Sequence, residues 1–207
     1  NFAILGPEEA CNGDVARRAG NEYIAQMLIM QNVEVLNQYK PKKILSGCPH
    51  CYNIIKNEYP QFGADYAVVH HTELLLGLFQ QGRLKAANHH PAQLSYHDSC
   101  YLGRWNGIYQ APRDLLASIN GGARPIEMPR SESKGFCCGA GGARMFMEET
   151  IGKRINEERA EEIIAAGAKT VAVACPFCTT MLRDGILEKE SDVQVKDIVE
   201  IIDETIS

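Results

Sequence analysis

No run of about 18 apolar residues occurs in this 207-residue chain, so no segment reads as a membrane-spanning helix. Blocks of basic residues are also missing, and the net charge is −5. That balance argues against a nucleic-acid binder and leaves docking to a positively charged protein open. The first residues, Asn1 to Gly6, are too short and too uncharged for a signal peptide. They read as a strand already under way in a piece of a longer protein. The glycine run 139–142 lacks the Lys-Ser/Thr that a phosphate-binding loop needs after it. The rest of the composition, 45% hydrophobic and 23% charged, is ordinary for a globular chain large enough to bury a core. Cysteines are therefore not required as staples.

Cysteines are nevertheless plentiful, at positions 11, 48, 51, 100, 137, 138, 175 and 178. A secreted disulfide framework usually occupies a smaller, loop-rich chain. Two CxxC pairs and one adjacent pair read instead as soft-metal ligands in a reducing compartment. A thioredoxin-like reading of either CxxC leaves the other cysteines unexplained.

An internal duplication orders them. Cys11 to Cys48 and Cys138 to Cys175 are both intervals of 37 residues, and each ends in Cys-Pro-x-Cys. At an offset of 127, Ala16-Arg17 falls on Ala143-Arg144 and Glu22 falls on Glu149. In the first copy, a helix with Ile24, Met27, Leu28 and Val35 on one face precedes a short buried strand, Lys42 to Leu45, that leads into Cys48. In the second, a helix carrying Ile151, Ile155, Ile163 and Ile164 stops at Gly167, and a strand, Thr170 to Ala174, leads into Cys175. Tyr66 to Val69 and Leu94 to Tyr96 read as further strands. Strand, helix and strand in alternation predict an α/β fold with parallel sheets. Residues 80–91 form the best linker, which divides the chain into 1–90 and 91–207.

The copies differ. The second has Cys100 and the pair Cys137-Cys138. The first has Ala10 in place of Cys137, and nothing in this chain stands at the place of Cys100.

Each Cys-Pro-x-Cys falls where a parallel strand ends and a helix begins. Proline suits the first helical position, and the unpaired N–H groups of that turn favour thiolate, the metal-binding form. Glycines 139, 141 and 142 allow backbone close to a bulky group and can donate N–H to it. A CxxC with two distant cysteines supplies the four thiolates an iron–sulfur cubane requires. A fifth thiolate could bridge irons in a larger or opened cluster, or stay free as a redox thiol. Zinc held by the two CxxC pairs is the structural alternative. The repeat argues against it, since each CxxC then has its partners in its own half.

The pattern Cys100…Cys137-Cys138-Gly139…Cys175-x-x-Cys178 resembles the cysteine-rich CCG domain found in heterodisulfide reductase and in related iron–sulfur oxidoreductases. The resemblance covers essentially the whole chain as two tandem, pseudo-symmetric copies. It implies that Cys100, Cys137, Cys138, Cys175 and Cys178 hold a non-cubane [4Fe–4S] cluster. In the first copy, Cys11-Asn12-Gly13 replaces Cys-Cys-Gly, so Cys11, Cys48 and Cys51 alone carry over. A second [4Fe–4S] cluster there needs a further cysteine from upstream, and zinc is a possible substitute for lost iron. The related subgroup implies N-terminal membrane and ferredoxin-like segments, and a position in the cytoplasm or at the cytoplasmic face of the membrane is expected. It also implies electron exchange between an electron-transfer flavoprotein and quinone. On this reading the chain is an electron-transfer module. A catalytic disulfide reductase and a zinc-stabilised structural domain are the alternatives.

Some residues remain undecided by sequence. His70-His71 read as a substrate-binding or cluster-tuning pair or as loop residues. His97-Asp98 reads as a proton relay to a thiol or as hydrogen-bonding support. Arg17 and Arg144 read as counter-charges to a cluster or as exposed helix arginines. Glu157-Glu158 and Glu161-Glu162 read as a solvated helix face.

Overall fold

The computed structural model describes residues 2–88 and 93–206. In chain order the elements are α1 (Asp14–Arg18), α2 (Glu22–Tyr39), β1 (Ile44–Ser46), α3 (Pro49–Asn57), β2 (Val68–His70) and α4 (His71–Gln80). They continue with β3 (Leu94–Tyr96), α5 (Gln110–Ile119), α6 (Ile155–Ala165), β4 (Thr170–Val173), α7 (Pro176–Glu188), β5 (Gln194–Asp197) and α8 (Ile198–Ile206). No helix among the described residues is long and apolar enough to cross a membrane.

The fold is α/β with two small parallel sheets. β1 and β2 pair with Ile44 opposite Val68 and Ser46 opposite His70. β3, β4 and β5 form the second sheet, with Leu94 opposite Thr170 and Val171 opposite Val195. The duplication is visible in three dimensions. Shifted by 127 residues, β1, α3, β2 and α4 fall on β4, α7, β5 and α8. The matched Arg and Glu positions form matched ion pairs, Arg17–Glu22 at 2.5 Å and Arg144–Glu149 at 3.8 Å.

The halves bury apolar surface differently. Ile29, Val33 and Leu36 of α2 meet Ile54 and Tyr59 in the first half. In the second half the strands are covered on both faces, as parallel strands require. Val171 and Val173 face α6 and α7, while Leu94, Tyr96 and Ala172 face α5 and α8. Leu75, Leu76 and Phe79 of α4 join that second core, so a first-half helix covers a second-half sheet.

Several expectations are corrected. Residues 2–5 form no strand; the chain enters through a 3-10 turn at Gly6–Glu8, with Phe2 and Ile4 exposed, and Asn1 lies outside the described residues. An apolar hexapeptide becomes a strand only where a neighbour pairs with it, and none does here. Helix α2 buries Ala25, Ile29, Val33 and Leu36 rather than Ile24 and Met27, which are exposed. Both sets satisfy the helical period, and packing chose between them. Leu45 is exposed because the two-stranded sheet is covered on one face only. Ile151 precedes α6 and is exposed. Part of the expected linker, His89 to Pro91, lies outside the described residues, as does the 90/91 boundary. Before it, the N–H groups of Ala87 and Asn88 donate to Thr205 O, tying this stretch to α8.

Gly185 lies at a close approach of α7 to α6. A Cβ there would lie 2.6 Å from Asn156 O, whereas at Gly77 in α4 it would meet nothing within 4 Å. Gly→Ala in an open helix position gains about 1 kcal/mol, but forced overpacking costs about 1–3 kcal/mol. Gly77→Ala is therefore expected to raise the urea midpoint and Gly185→Ala to lower it. Equal shifts in the two variants would contradict this packing.

Candidate metal and redox centre

The carboxyl ends of the strands carry the chemistry, as in open α/β sheets generally. β1 runs into Cys48, β4 into Cys175 and β3 into Cys100. Cys48 and Cys175 are the extended N-cap residues of α3 and α7, each followed by proline at the first helical position. The chain leaves the strand and enters the helix within two residues, and the first-turn N–H groups of Cys51 and Cys178 face the sulfurs of Cys48 and Cys175.

The loop bearing Cys137-Cys138 is held by charge. Arg113, 2% exposed, donates to Asp98 Oδ1 and Oδ2 at 2.8 Å each and to Glu127 Oε1 at 2.7 Å. Asp98 Oδ2 also accepts the Glu132 N–H at 2.7 Å. Arg104 donates to Gly135 O at 2.7 Å. Past the pair, Gly139 adopts φ +96° and its N–H donates to Cys137 Sγ at 3.3 Å. The left-handed φ redirects the chain just past this N–H, and only glycine adopts it without strain.

The thiols form one row. Cys100 faces Cys137, and Cys137 faces Cys138. Cys178 donates to Cys138 Sγ at 3.5 Å, and Cys178 touches Cys175. Cys175 meets Cys48, and Cys48 meets Cys51, so seven thiols run in contact from one half to the other. All eight cysteines are unpaired by disulfide. Cys11 is exposed. The contact of Cys48 with Cys175 corrects the expectation that each CxxC keeps to its own half: the pseudo-symmetry brings the two N-cap sulfurs together at the seam.

The row is uneven in charge. Hydrogen bonds from Cys100 and Cys138, and then the Gly139 N–H, push the Cys137 thiol down into the thiolate range. Hydrogen bonds from Cys175 and Cys51 do the same for Cys48. Their donors, Cys100 and Cys51, are pushed up. Adjacent thiols cannot all ionise in a buried site without a cation to offset them.

Other sequence-selected residues fall into place. The His50 ring, inside the first CxxC, stacks on Tyr101 at 3.9 Å and meets Phe177, its counterpart in the second copy, edge-on at 4.9 Å. His50 Nδ1 lies 2.8 Å from Asp14 Oδ2. Burial lowers His70 to about 3 and His71 to about 4, so both are neutral. His71 Nε2 lies 3.7 Å from Asp197 Oδ1 across the seam. Arg17 and Arg144 are held by Glu22, Glu58 and Glu149 rather than by sulfur. Glu162 is not solvated; it holds Arg130 and the buried Arg159. His97, 1% exposed, groups with Cys138 and Cys178, their ligand atoms all within 4.8 Å. Sequence reasoning missed Arg159 and Arg113, whose only signal was an arginine at an inward-facing helical position.

A thiophilic group fits this set. Cysteine sulfur dominates the donors, and hydrogen-bonding groups without partners border it. Ser99 Oγ beside Cys100 and Arg159 Nη2 beside His97 are buried with no hydrogen-bond partner among the described residues. An anionic sulfur-rich cluster would accept from such groups.

Comparison with known proteins agrees with this chemistry. The profile of the cysteine-rich domain family CCG matches residues 1–56 and 94–183. The chain is 44% identical over 211 residues to the EtfAB:quinone oxidoreductase of Syntrophomonas wolfei, covering 98% of this chain and 29% of that protein. It is 44% identical over 208 residues to the probable iron-sulfur-binding oxidoreductase FadF of Bacillus subtilis, covering 100% of this chain and 29% of that protein. It is 35% identical over 211 residues to one polypeptide of the dihydromethanophenazine:CoB–CoM heterodisulfide reductase of Methanosarcina barkeri, covering 99% of this chain and 51% of that protein. The chain thus spans from under a third to about half of these relatives.

Asp197 provides a pH signature of the seam. Burial pushes its carboxyl up to about 6, above the ordinary value of about 3.9. A raised acid pKa means the fold favours the neutral form. Its contribution is complete below pH of about 4 and is lost as pH rises through about 6. Asp197→Asn, whose side-chain oxygen can still accept the Val199 N–H, should stabilise the protein by on the order of 1–2 kcal/mol at pH 8 and by nothing at pH 4. Urea unfolding at the two pH values checks this, and an equal effect at both would refute it.

Proposed function

The chain belongs to the cysteine-rich CCG-domain family, and from that premise we propose that it is the iron–sulfur electron-transfer module of a larger oxidoreductase. The observation that carries the reading is the contiguous row of thiols across the seam between two duplicated halves. Cys100, Cys137, Cys138, Cys175 and Cys178 are the ligand set for a [4Fe–4S] cluster of the five-thiolate, non-cubane kind. Cys11, Cys48 and Cys51 are ligands of a second cluster whose fourth ligand comes from outside this chain. The halves divide between α4 and β3, at residues 90 and 91.

When bound, such clusters supply low-potential one-electron chemistry set by charge, burial and hydrogen bonds to sulfur. The chain's own residues supply the rest. Cys137 and Cys48 present thiolates, Gly139 donates its N–H to sulfur, and the buried strands and helices keep water from Cys138, Cys175 and Cys178. The approach of Cys48 to Cys175 supports ligand sets that lie edge to edge, which suits electron passage from one half to the other. The partners are redox proteins: an electron-transfer flavoprotein or another flavoprotein on one side and a quinone-linked carrier on the other. The site is one for a reducing compartment, at the cytoplasmic face of a membrane.

A second reading, a disulfide reductase working at the cluster, is favoured by the half-buried Cys137 thiolate. Against it, the cleft at the seam is lined by Asp14, Arg18, His50, Ala140, Phe146 and Phe177 rather than by cysteine.

Iron and acid-labile sulfide per chain after anaerobic reconstitution test the proposal. About four irons are expected in the intact chain, lost in Cys138→Ala and in Cys137→Ser. About eight would show that the first half completes its own ligand set. Zinc alone, with no sulfide and no brown colour, would remove the electron-transfer reading and leave a structural metal domain.

A further inference from the structure

Arg159 in α6 is fully buried, at 0% exposure. Its Nε–H donates to His97 Nδ1 at 3.1 Å. Its Nη1 donates to Arg130 O at 3.0 Å and to Glu162 Oε2 at 2.7 Å. Its Nη2 has no partner among the described residues. His97 follows β3, and one of its ring nitrogens groups with the sulfurs of Cys138 and Cys178 within 4.8 Å. Two buried sulfurs and an imidazole at this spacing have the outline of a mixed cysteine–histidine metal site.

The direction of the arginine bond decides otherwise. A guanidinium N–H can only donate, so His97 Nδ1 must present its lone pair. A neutral imidazole carries one N–H, which must then be on Nε2. Metal-ligating histidines have the opposite arrangement: the nitrogen away from the metal donates to a carboxylate, a carbonyl or water. Asp98, next in sequence, is taken by Arg113 and the Glu132 N–H. It is not available to His97 as a proton relay either.

We propose that His97 is not a ligand but an N–H donor to sulfur at the Cys138–Cys178 end of the site, and that Arg159 is the positioning residue that fixes its tautomer. Donation to sulfur favours the more negative, reduced form of a thiolate-held cluster, so the pair raises its reduction potential. The unpartnered Nη2 offers a further buried N–H beside His97 that acts in the same direction. This function of the pair rests on the iron–sulfur reading above. The tautomer itself does not.

Two measurements on the full chain keep the two readings apart. In the metal-free, 15N-labelled protein, long-range 1H–15N correlations should show His97 as the Nε2–H tautomer. That tautomer should be lost in Arg159→Met and kept in Arg159→Lys. After anaerobic reconstitution, a redox titration followed by electron paramagnetic resonance should show a lower potential in His97→Phe than in the parent. A tenfold change in the reduction equilibrium, about 59 mV for one electron, is expected. His97→Gln, which keeps an N–H donor, should recover most of it, and iron content should be unchanged in both. An Nδ1–H tautomer in the parent protein overturns the inference, as does an unchanged potential in folded His97→Phe. Iron lost from folded His97→Phe would make His97 a ligand and overturn it too. If the parent takes up no cluster, the iron–sulfur reading fails, while the tautomer still decides how His97 is held.

Discussion

Thiolate repulsion in a buried place is the constraint on which the structure turns. Seven sulfurs lie in contact across the seam, and three of their residues, Cys138, Cys175 and Cys178, are buried. Each sulfur that ionises raises the pKa of its neighbours, so the row by itself can hold only scattered charge, at Cys137 and Cys48. A cationic metal core removes that limit, since a coordinating thiol is deprotonated outright. The fold around the row reads as a device for assembling thiolates before the metal that balances them.

The assembly depends on duplication. One strand–helix turn with Cys-Pro-x-Cys gives two sulfurs a turn of helix apart on one edge. A second copy facing the first through their strand ends brings Cys48 against Cys175, His50 against Phe177 and His71 toward Asp197. The halves are not independent bodies. Helix α4 supplies Leu75, Leu76 and Phe79 to the core under the second sheet. The first half lends apolar cover, and the second half carries more of the cysteines.

Buried ions do the positioning. Arg113 between Asp98 and Glu127, and Arg159 between Glu162 and His97, place full charges where exposure is about 2% or less. Such pairs roughly break even for stability, because desolvation offsets their attraction. What they fix is geometry. Asp98 pins the loop that presents Cys137-Cys138, and Arg159 sets the face that His97 turns to the sulfurs.

The sequence alone determined the parts of this protein that repeat or alternate. The intervals of 37 residues, the two Cys-Pro-x-Cys turns and the glycine after Cys138 located the strand ends, the α/β class and the thiols of the candidate site. Their chemistry is local: proline at the first helical turn and a cysteine at the N-cap need no distant partner to be read. The tertiary structure alone decided which helical face of α2 is buried, because two overlapping apolar stripes satisfy the same period. It decided that residues 2–5 make no strand, since pairing requires a neighbour. It also decided that the CxxC sulfurs meet between halves, that Glu162 faces inward and that Arg159 commands His97. These are contacts between residues 32 or more apart in sequence, apart from the Arg159–Glu162 pair, whose inward turn follows from how α6 packs. Periodicity carries no record of which surface finds which partner, and hydrogen-bond direction exists only once donor and acceptor have met.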